Sequence, residues 1–128
     1  MVEVSCALIV ENGKVLIARR SKAMPHSLKW EFPGGKIREG EDGPASVVRE
    51  IREELGLFIV VDRKLQPHVH HYSGHTVQLH PFVCHREGGR LVLNEHDAFR
   101  WISAREVAEI DWLEADVAVA GELAQLLD

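Results

Sequence analysis

Apolar and polar residues follow one another along most of the chain in short runs that are typical of β-strands. Residues 2–10 and 14–18 form two such runs, and Glu11-Asn12-Gly13 lies between them. Asn-Gly between two apolar runs favours a tight hairpin, because both residues readily adopt positive φ angles. The chain therefore begins with a predicted β-hairpin.

One stretch has helical spacing instead. Its apolar stripe, predicted to face the core, consists of Ala45, Val48, Ile51 and Leu55, with Val47 beside it. Asp42 is the expected N-cap, and Pro44 suits the first turn, where its missing N–H is not needed. Gly56 supplies the expected C-cap.

The remaining pattern is mostly strand-like. Strands are predicted at 30–32, 57–61, 68–86 with a turn at Ser73-Gly74, 91–93 and 98–102. A charged glycine-rich loop is predicted at 34–43 and a turn at 87–89, and helices are predicted at 104–108, with Ser103 as its cap, and at 116–127. Strands on either side of helices predict an α/β fold with a mixed β-sheet flanked by helices. No repeat or linker divides the sequence, so a single domain is expected over residues 1–128.

Composition narrows the classes of protein. The 128 residues are 45% hydrophobic and 27% charged, as in a soluble globular domain. No apolar run approaches the ~20 residues of a membrane span, so no membrane partner is expected. The net charge of −5 argues against long nucleic acids but permits a single nucleotide. The N-terminus does not resemble a signal peptide, so we expect a cytoplasmic protein. Cys6 and Cys84 lie in apolar runs, so we expect both to be buried, reduced thiols.

The predicted helix carries a cluster of acids. Glu50, Glu53 and Glu54 are spaced i, i+3 and i+4, which brings their side chains to one side of a helix. Like charges at this spacing repel, by roughly 0.2–0.5 kcal/mol for each pair. Divalent cations with oxygen ligands are the obvious compensation.

These acids belong to a longer motif that resembles the signature of the Nudix hydrolase family. Its specified positions are all filled, by Gly35, Glu41, Arg49, Glu50, Ile51, Glu53, Glu54, Gly56 and Leu57. The run from Trp30 to Lys36, the Arg19-Arg20 pair and Ala115-Asp116 are similar to the MutT branch. The resemblance implies a Nudix-type α/β/α sandwich. It also implies hydrolysis of a nucleoside triphosphate to the monophosphate and pyrophosphate, with 8-oxo-dGTP as the best-known substrate.

The resemblance also implies roles for individual residues. A Mg²⁺ or Mn²⁺ ion would be held by Glu50, Glu53, Glu54, the carbonyl of Gly34 and, as a further ligand or assisting base, Glu95. Glu50 would be the general base, with Glu54 as the alternative, and Arg49 would orient the site by pairing with Glu41 and Glu50. Gly35 and Glu41 would support the loop. Lys36 would contact phosphate, and Arg20 the base or ribose.

The choice of base stays open at Asp116. An Asn commonly stands at this position in bacterial 8-oxo-dGTP enzymes, where it offers a donor and an acceptor together. An ionised Asp only accepts hydrogen bonds, which favours donors such as the amino group of cytosine. Branch members that act on CTP and modified dCTP carry Asp in such a context, so these nucleotides are the alternative substrates.

Three other interpretations remain. His68 and His70 share a strand face that could hold zinc, and His75 after the turn is a candidate substrate contact. A nucleotide-sensing module without hydrolysis is disfavoured, because none of the motif glutamates is replaced. The expected oligomeric state is a monomer or homodimer.

Overall fold

The predicted N-terminal hairpin forms the centre of the sheet. In the computed structural model, which describes residues 1–127, strands β1 (Val2–Glu11) and β2 (Lys14–Arg19) pair antiparallel. Asn12 and Gly13 take φ angles of 51° and 74°, as the turn chemistry predicts. The last residue of the predicted domain, Asp128, lies outside the described residues.

Strands added on both sides of this hairpin build a mixed sheet. They are β3 (Trp30–Glu31), β4 (Gly34–Lys36), β5 (Leu57–Lys64), β6 (His68–Tyr72), β7 (His75–Gly89) and β8 (Ala98–Ile102). β1 pairs parallel with β7, from Val2↔Val77 to Ile9↔Cys84, and antiparallel with β4. β7 also pairs with β5 and β6, and β2 with β3 and β8, all antiparallel. The main strand order is β3-β2-β1-β7-β5.

Helices cover both faces of the sheet. They are α1 (Gly43–Leu55), α2 (Val117–Ala120) and α3 (Leu123–Leu126), with 3₁₀ helices at Ala104–Glu109 and Glu114–Asp116. Ala7 and Ile9 of β1 face α1, whereas Cys6 and Leu8 face the C-terminal helices. A strand buried on both faces is apolar throughout, which explains the unbroken run at the start of the chain. The predicted α/β sandwich with a mixed sheet is confirmed.

Helix α1 is where predicted, but it is rotated from the predicted stripe. The side chain of Asp42 accepts from the N–H of Ala45, and Gly56 ends the helix with a φ of 67°. The prediction was wrong for Ala45 and Val48, which are exposed. The buried residues are Ser46, Val47, Ile51, Glu54 and Leu55. Val47, Ile51 and Leu55 make an equally regular i, i+4 row, and contact with the sheet selects it.

Three predicted strand or loop segments differ in the structure. Part of the glycine-rich loop is strand β4, because Gly34 and Gly35 pair with β1. The predicted turn at 87–89 lies inside β7, which pairs with β5 as far as Gly89. Residues 91–93 are not a strand: Val92 N–H donates to the carbonyl of Leu55 at the end of α1.

The predicted C-terminal helix at 116–127 is instead broken into two short helices. Gly121 lies at the break, and glycine is a poor helix former because it has the most backbone freedom to lose. The predicted helix at 104–108 is a 3₁₀ helix, capped by Ser103 and Glu106. Among residues 1–127, no helix combines the length and the apolar character needed to cross a bilayer.

Candidate functional site

Strand β4 lies directly against helix α1 on one side and strand β1 on the other, and a glycine permits each contact. A Cβ on Gly35 would collide with the carboxylate of Glu50, and one on Gly34 would collide with the backbone of Ser5 and Cys6. The close approach places the backbone of β4 beside the acids of α1. A larger side chain at Gly35 would displace the Glu50 carboxylate, and one at Gly34 would push β4 away from β1, which gives a physical reason for the glycine pair.

Arg49 joins the predicted loop to the helix. Its Nε and Nη2 donate to the two carboxylate oxygens of Glu41 at 2.9 and 2.7 Å, and Nη1 donates to Oε1 of Glu50 at 2.7 Å. Nη2 also reaches the carbonyl of Lys36 at 3.2 Å. The hydrogen bonds from Arg49 lower the pKa of Glu41 to about 2, and the acids raise the pKa of Arg49. A bidentate pair of this kind fixes geometry as well as charge.

Glu53 and Glu54 point in different directions. Glu53 is 48% exposed and lies 3.2 Å from Nη1 of Arg49, whereas Glu54 is 4% exposed. Burial, followed by the neighbouring Glu50, raises the pKa of Glu54 to about 11 in the metal-free protein. Successive residues of a helix are ~100° apart, so the side chains of two adjacent acids leave the helix in different directions. Within residues 1–127, no three His, Cys, Asp or Glu side chains are grouped closely enough to hold a metal ion as they stand.

Beside Glu54 lies a cavity of about 430 Å³, which we call the charged cavity. It is lined by Arg20, Met24, Glu31, Gly34, Gly35, Lys36, Arg38, Glu50, Glu54 and Glu95. Seven residues singled out in the sequence therefore meet here: Arg20, Gly34, Gly35, Lys36, Glu50, Glu54 and Glu95. Glu53 and Asp116 are not among the lining residues.

A buried acid–imidazole pair in this region was missed from the sequence. Glu31 is 8% exposed and His96 is 5% exposed, and their Oε2 and Nε2 atoms are 2.7 Å apart. Oε1 of Glu31 also accepts from Nη1 of Arg20 at 2.9 Å. An acid inside the apolar run Trp30-Glu31-Phe32 was the available signal, because unpaired acids are rarely buried.

Next to the charged cavity is a second cavity of about 400 Å³, which we call the apolar cavity. It shares Arg20, Glu31, Gly34, Gly35 and Lys36 with the first and adds Val4, Ser5, Cys6, Pro25, His26, Phe32, Tyr72, His75, Val77, Leu79, Leu113, Ala115 and Asp116. The sequence candidate His75 is one of these. Aromatic rings form one side: Tyr72 stacks on His75 with centroids 5.2 Å apart and lies 5.0 Å from His26.

Asp116 is the buried acid of the apolar cavity. It is 3% exposed, and its Oδ2 accepts from the N–H of Phe32 at 2.7 Å. Burial, followed by the charge of Glu31, raises the pKa of Asp116 well above its usual range, against the opposing effects of the Phe32 N–H and Arg20. The neutral acid, which this shift favours, can donate as well as accept a hydrogen bond.

Three residues singled out in the sequence have other partners in the structure. Arg20 donates from Nε to the carbonyl of Pro25 at 2.7 Å, in addition to its bond with Glu31, so it ties down the loop that follows β2. His68 lies 3.2 Å from Glu122, and His70 lies 3.3 Å from Glu114. The two histidines thus face separate acids rather than a shared zinc position.

Comparison with known proteins places this chain in a family. A family model described as NUDIX domain matches residues 1–124. The chain is 35% identical over 117 residues to the CTP pyrophosphohydrolase of Escherichia coli strain K12, covering 91% of this chain and 87% of that protein. It is 33% identical over 95 residues to the 8-oxo-dGTP diphosphatase of Buchnera aphidicola, covering 74% and 72%.

Solved structures agree with these relatives. The solution structure of the E. coli ORF135 protein superposes with a TM-score of 0.84 at 33% identity, and the match covers 98% of this chain and 90% of that one. The NMR structure of MutT from methicillin-resistant Staphylococcus aureus gives 0.78 at 32% identity, covering 98% and 96%.

Proposed function

The chain belongs to the NUDIX family and is a Nudix hydrolase, and we propose that it is MutT-like, cleaving a nucleoside triphosphate to the monophosphate and pyrophosphate. The proposed substrate is 8-oxo-dGTP. The observation that carries the proposal is the junction of a charged cavity with an apolar one, through shared residues that include Arg20, Glu31 and Lys36. The first suits a triphosphate with its metal, and the second suits a base.

A divalent cation fits the charged cavity. Oε2 of Glu54 is buried and has no hydrogen-bond partner among the described residues. A buried oxygen without a partner costs free energy, and a hard cation is a suitable ligand for it. We propose that Mg²⁺ or Mn²⁺ is held by Glu50, Glu53, Glu54, Glu95 and the carbonyl of Gly34. When bound, the ion would neutralise phosphate oxygens and make water more acidic.

Glu50 is the proposed general base. Its Oε1 is occupied by Arg49, which is itself held by both oxygens of Glu41. Oε2, which lies against Gly35, is therefore the atom proposed to take the proton from the attacking water. Glu54 is the weaker candidate, because its buried Oε2 is the atom proposed above to bind the metal ion. Arg49 serves to orient Glu50, and Lys36, on the rim of both cavities, is the proposed phosphate contact.

The properties of Asp116 support 8-oxo-dGTP as the substrate. The sequence argument for cytosine assumed an ionised Asp116, which only accepts hydrogen bonds. Its raised pKa favours the neutral acid, which offers a donor and an acceptor as an Asn would. Oxidised guanine presents both kinds of partner on its edge. Arg20 is proposed to contact the base or ribose from the shared wall of the cavities.

A second candidate substrate is CTP or a modified dCTP. The relative in E. coli that is 35% identical to this chain is named a CTP pyrophosphohydrolase. The cavity residue Glu31 adds a second carboxylate near Asp116, and it would favour a base that donates hydrogen bonds. The two candidates differ in the base, and CTP also differs in its sugar, whereas the proposed reaction is the same.

A panel of nucleotides tests the proposal directly. The panel contains 8-oxo-dGTP, dGTP, CTP, 5-methyl-dCTP and a dinucleoside polyphosphate, each with Mg²⁺ or Mn²⁺, with pyrophosphate and monophosphate measured separately. We expect equal release of pyrophosphate and 8-oxo-dGMP, with the highest kcat/KM for 8-oxo-dGTP. A higher value for CTP or 5-methyl-dCTP would favour the second candidate. Binding without hydrolysis of any nucleotide would favour a sensing module.

We also propose that residues 1–128 form one domain, a monomer or homodimer, which acts in the cytoplasm to remove damaged nucleotides before they enter DNA. The free, buried thiols of Cys6 and Cys84 support a reducing compartment. Size-exclusion chromatography with light scattering distinguishes the two oligomeric states.

A further inference from the structure

None of the roles proposed above falls to His96, although its environment is unusual. Its side chain is fully buried between two acids: Nε2 lies 2.7 Å from Glu31, and Nδ1 lies 3.8 Å from Oε1 of Glu54. Because the Glu31 carboxylate also receives Arg20, it acts as the acceptor, and Nε2–H of His96 donates to it. Burying these polar groups costs free energy, and Nδ1 of His96 and Oε2 of Glu54 have no hydrogen-bond partner among the described residues to offset it.

The loop that carries His96 is attached at three points. Asn94 donates from its side chain to the carbonyl of Glu53 at 2.8 Å and from its N–H to that of Glu54 at 3.1 Å. Asp97 is bound to Arg19 by its N–H, at 3.1 Å, and by its carboxylate, at 2.7 Å. His96 provides the third attachment, inside the protein.

The remaining residue of this loop is Glu95, which lines the charged cavity. Asn94 and Asp97 hold the loop at the surface, whereas His96 holds it from within, next to Glu54. His96 also connects, through Glu31, to both cavities. Asn94 fixes the loop to the backbone of α1, and His96 connects the loop to the side chains of the site, through its bond to Glu31 and its position 3.8 Å from the Glu54 carboxylate.

We propose that His96 is a positioning residue for hydrolysis, which sets Glu54 and Glu95 at the metal site through its bond to Glu31. The inference rests on the proposed function for its kinetic part. Partners that orient metal-binding side chains commonly contribute about 10- to 100-fold in metal affinity or activity. Because His96 lines neither cavity, its loss should change kcat and metal affinity more than the KM for the nucleotide.

Two amide substitutions distinguish the hydrogen bond between His96 and Glu31 from the packing of the His96 side chain. In His96→Gln the amide nitrogen can reach the position of Nε2, whereas in His96→Asn it is too short to reach Glu31. The affinity for Mn²⁺ is measured without substrate by electron paramagnetic resonance. The values of kcat and KM are measured in separate steady-state assays with Mg²⁺. We expect His96→Asn to lose about 10-fold or more in both Mn²⁺ affinity and kcat, and His96→Gln to recover most of the loss. His80→Asn, which breaks the 2.6 Å contact of His80 with Glu3 away from the two cavities, is the matched control.

The outcomes are separable. Wild-type Mn²⁺ affinity and kcat in a folded His96→Asn variant overturn the inference, and so does an equal loss in both amide variants. If the unaltered protein hydrolyses no nucleotide, the proposed function fails, and the Mn²⁺ measurement still decides the role of His96. If His96→Asn does not fold, two-bond ¹H–¹⁵N spectra of the unaltered protein test whether His96 is linked to the metal site. They should show the Nε2-protonated ring of His96 shifting with Mg²⁺ while His80 does not, and an unmoved His96 overturns the inference.

Discussion

The charged cavity and the apolar cavity share five lining residues, yet they are built from different parts of the chain. Apart from the shared wall, the acids of the charged cavity come from helix α1 and the nearby loop, as Glu50, Glu54 and Glu95. The apolar cavity draws on residues as distant in sequence as Cys6 and Asp116. One cavity is encoded mainly by a local motif, and the other by the packing of the whole sheet.

This difference separates the reaction from its substrate. Fixed spacing along a loop and helix determines the positions of the acids, so the class of reaction can be predicted from the sequence. The base would enter a cavity whose walls converge only after β1, β6, β7 and the C-terminal segment are packed together. Substitutions in the charged cavity should therefore lower the rate for every nucleotide, and those in the apolar cavity should change the preference among nucleotides.

The largest expected effect is that of Glu54→Gln. Loss of the buried carboxylate should reduce kcat by about 10²- to 10⁴-fold for all nucleotides, the range for a group acting directly in catalysis. Glu53→Gln is the matched comparison, and its loss should be smaller because Glu53 is half-exposed and paired with Arg49. Steady-state kinetics with thermal melting measures both. Near wild-type turnover in Glu54→Gln would contradict the assignment, and equal losses would indicate that Glu53 leaves Arg49 when metal binds.

Glu95→Gln should have the next largest effect. Glu95 reaches the charged cavity from a separate loop, so we expect about a 10- to 100-fold loss in activity or metal affinity, similar for every nucleotide. The exposed Glu39→Gln, in the loop before α1, controls for the loss of one negative charge. Kinetics at varied Mg²⁺ concentration distinguishes weaker metal binding from a slower step. A loss confined to one base would place Glu95 with the apolar cavity instead.

Asp116→Asn should change selectivity more than rate. A hydrogen bond contributes about 0.5–1.5 kcal/mol net, so the ratio of kcat/KM for 8-oxo-dGTP over CTP should change by up to about tenfold. Burial raises the pKa of Asp116, so the neutral acid predominates below that pKa and is lost as pH rises through it. The preference of the unaltered protein for 8-oxo-dGTP should therefore fall at high pH, whereas that of Asp116→Asn should stay flat.

The control for this substitution is Glu114→Gln, since Glu114 lies on the same 3₁₀ helix with its side chain 75% exposed. It should leave both the ratio and its pH dependence unchanged. The same pH dependence in Asp116→Asn as in the unaltered protein would remove Asp116 from base recognition.

The smallest expected effect is that of Glu41→Gln, which should change the free energy of unfolding rather than turnover. The pKa of Glu41 is lowered from 4.5 to about 2, chiefly by hydrogen bonds from Arg49. A lowered pKa contributes to the free energy of unfolding above pH 4.5, and the contribution is lost as pH falls towards 2. The unaltered protein should thus exceed Glu41→Gln in stability at neutral pH, and the gap should close in acid.

Urea denaturation at several pH values between 7 and about 2 measures this gap, because the midpoint follows stability when the slope is constant. A gap that persists at the lowest pH would mean that Glu41 acts through packing rather than through its charge.

The sequence by itself determined the elements whose causes are local. The Asn12-Gly13 turn, the Asp42 cap, the Gly56 cap and the mixed α/β architecture were all predicted correctly. The family was also identified correctly, from the resemblance to the Nudix motif. The positions of that motif are fixed by spacing within one loop and one helix. Local chemistry and short spacings do not depend on what packs against them.

Only the tertiary structure decided which face of α1 is buried, and with it the separate environments of Glu53 and Glu54. Two apolar rows were equally regular in sequence, and contact with β1 and β5 selected the one through Val47. The pairing of Glu31 with His96, 65 residues apart, and the raised pKa of Asp116 likewise depend on burial by distant segments. Burial and long-range contact are properties of the packed chain, so a linear pattern does not contain them.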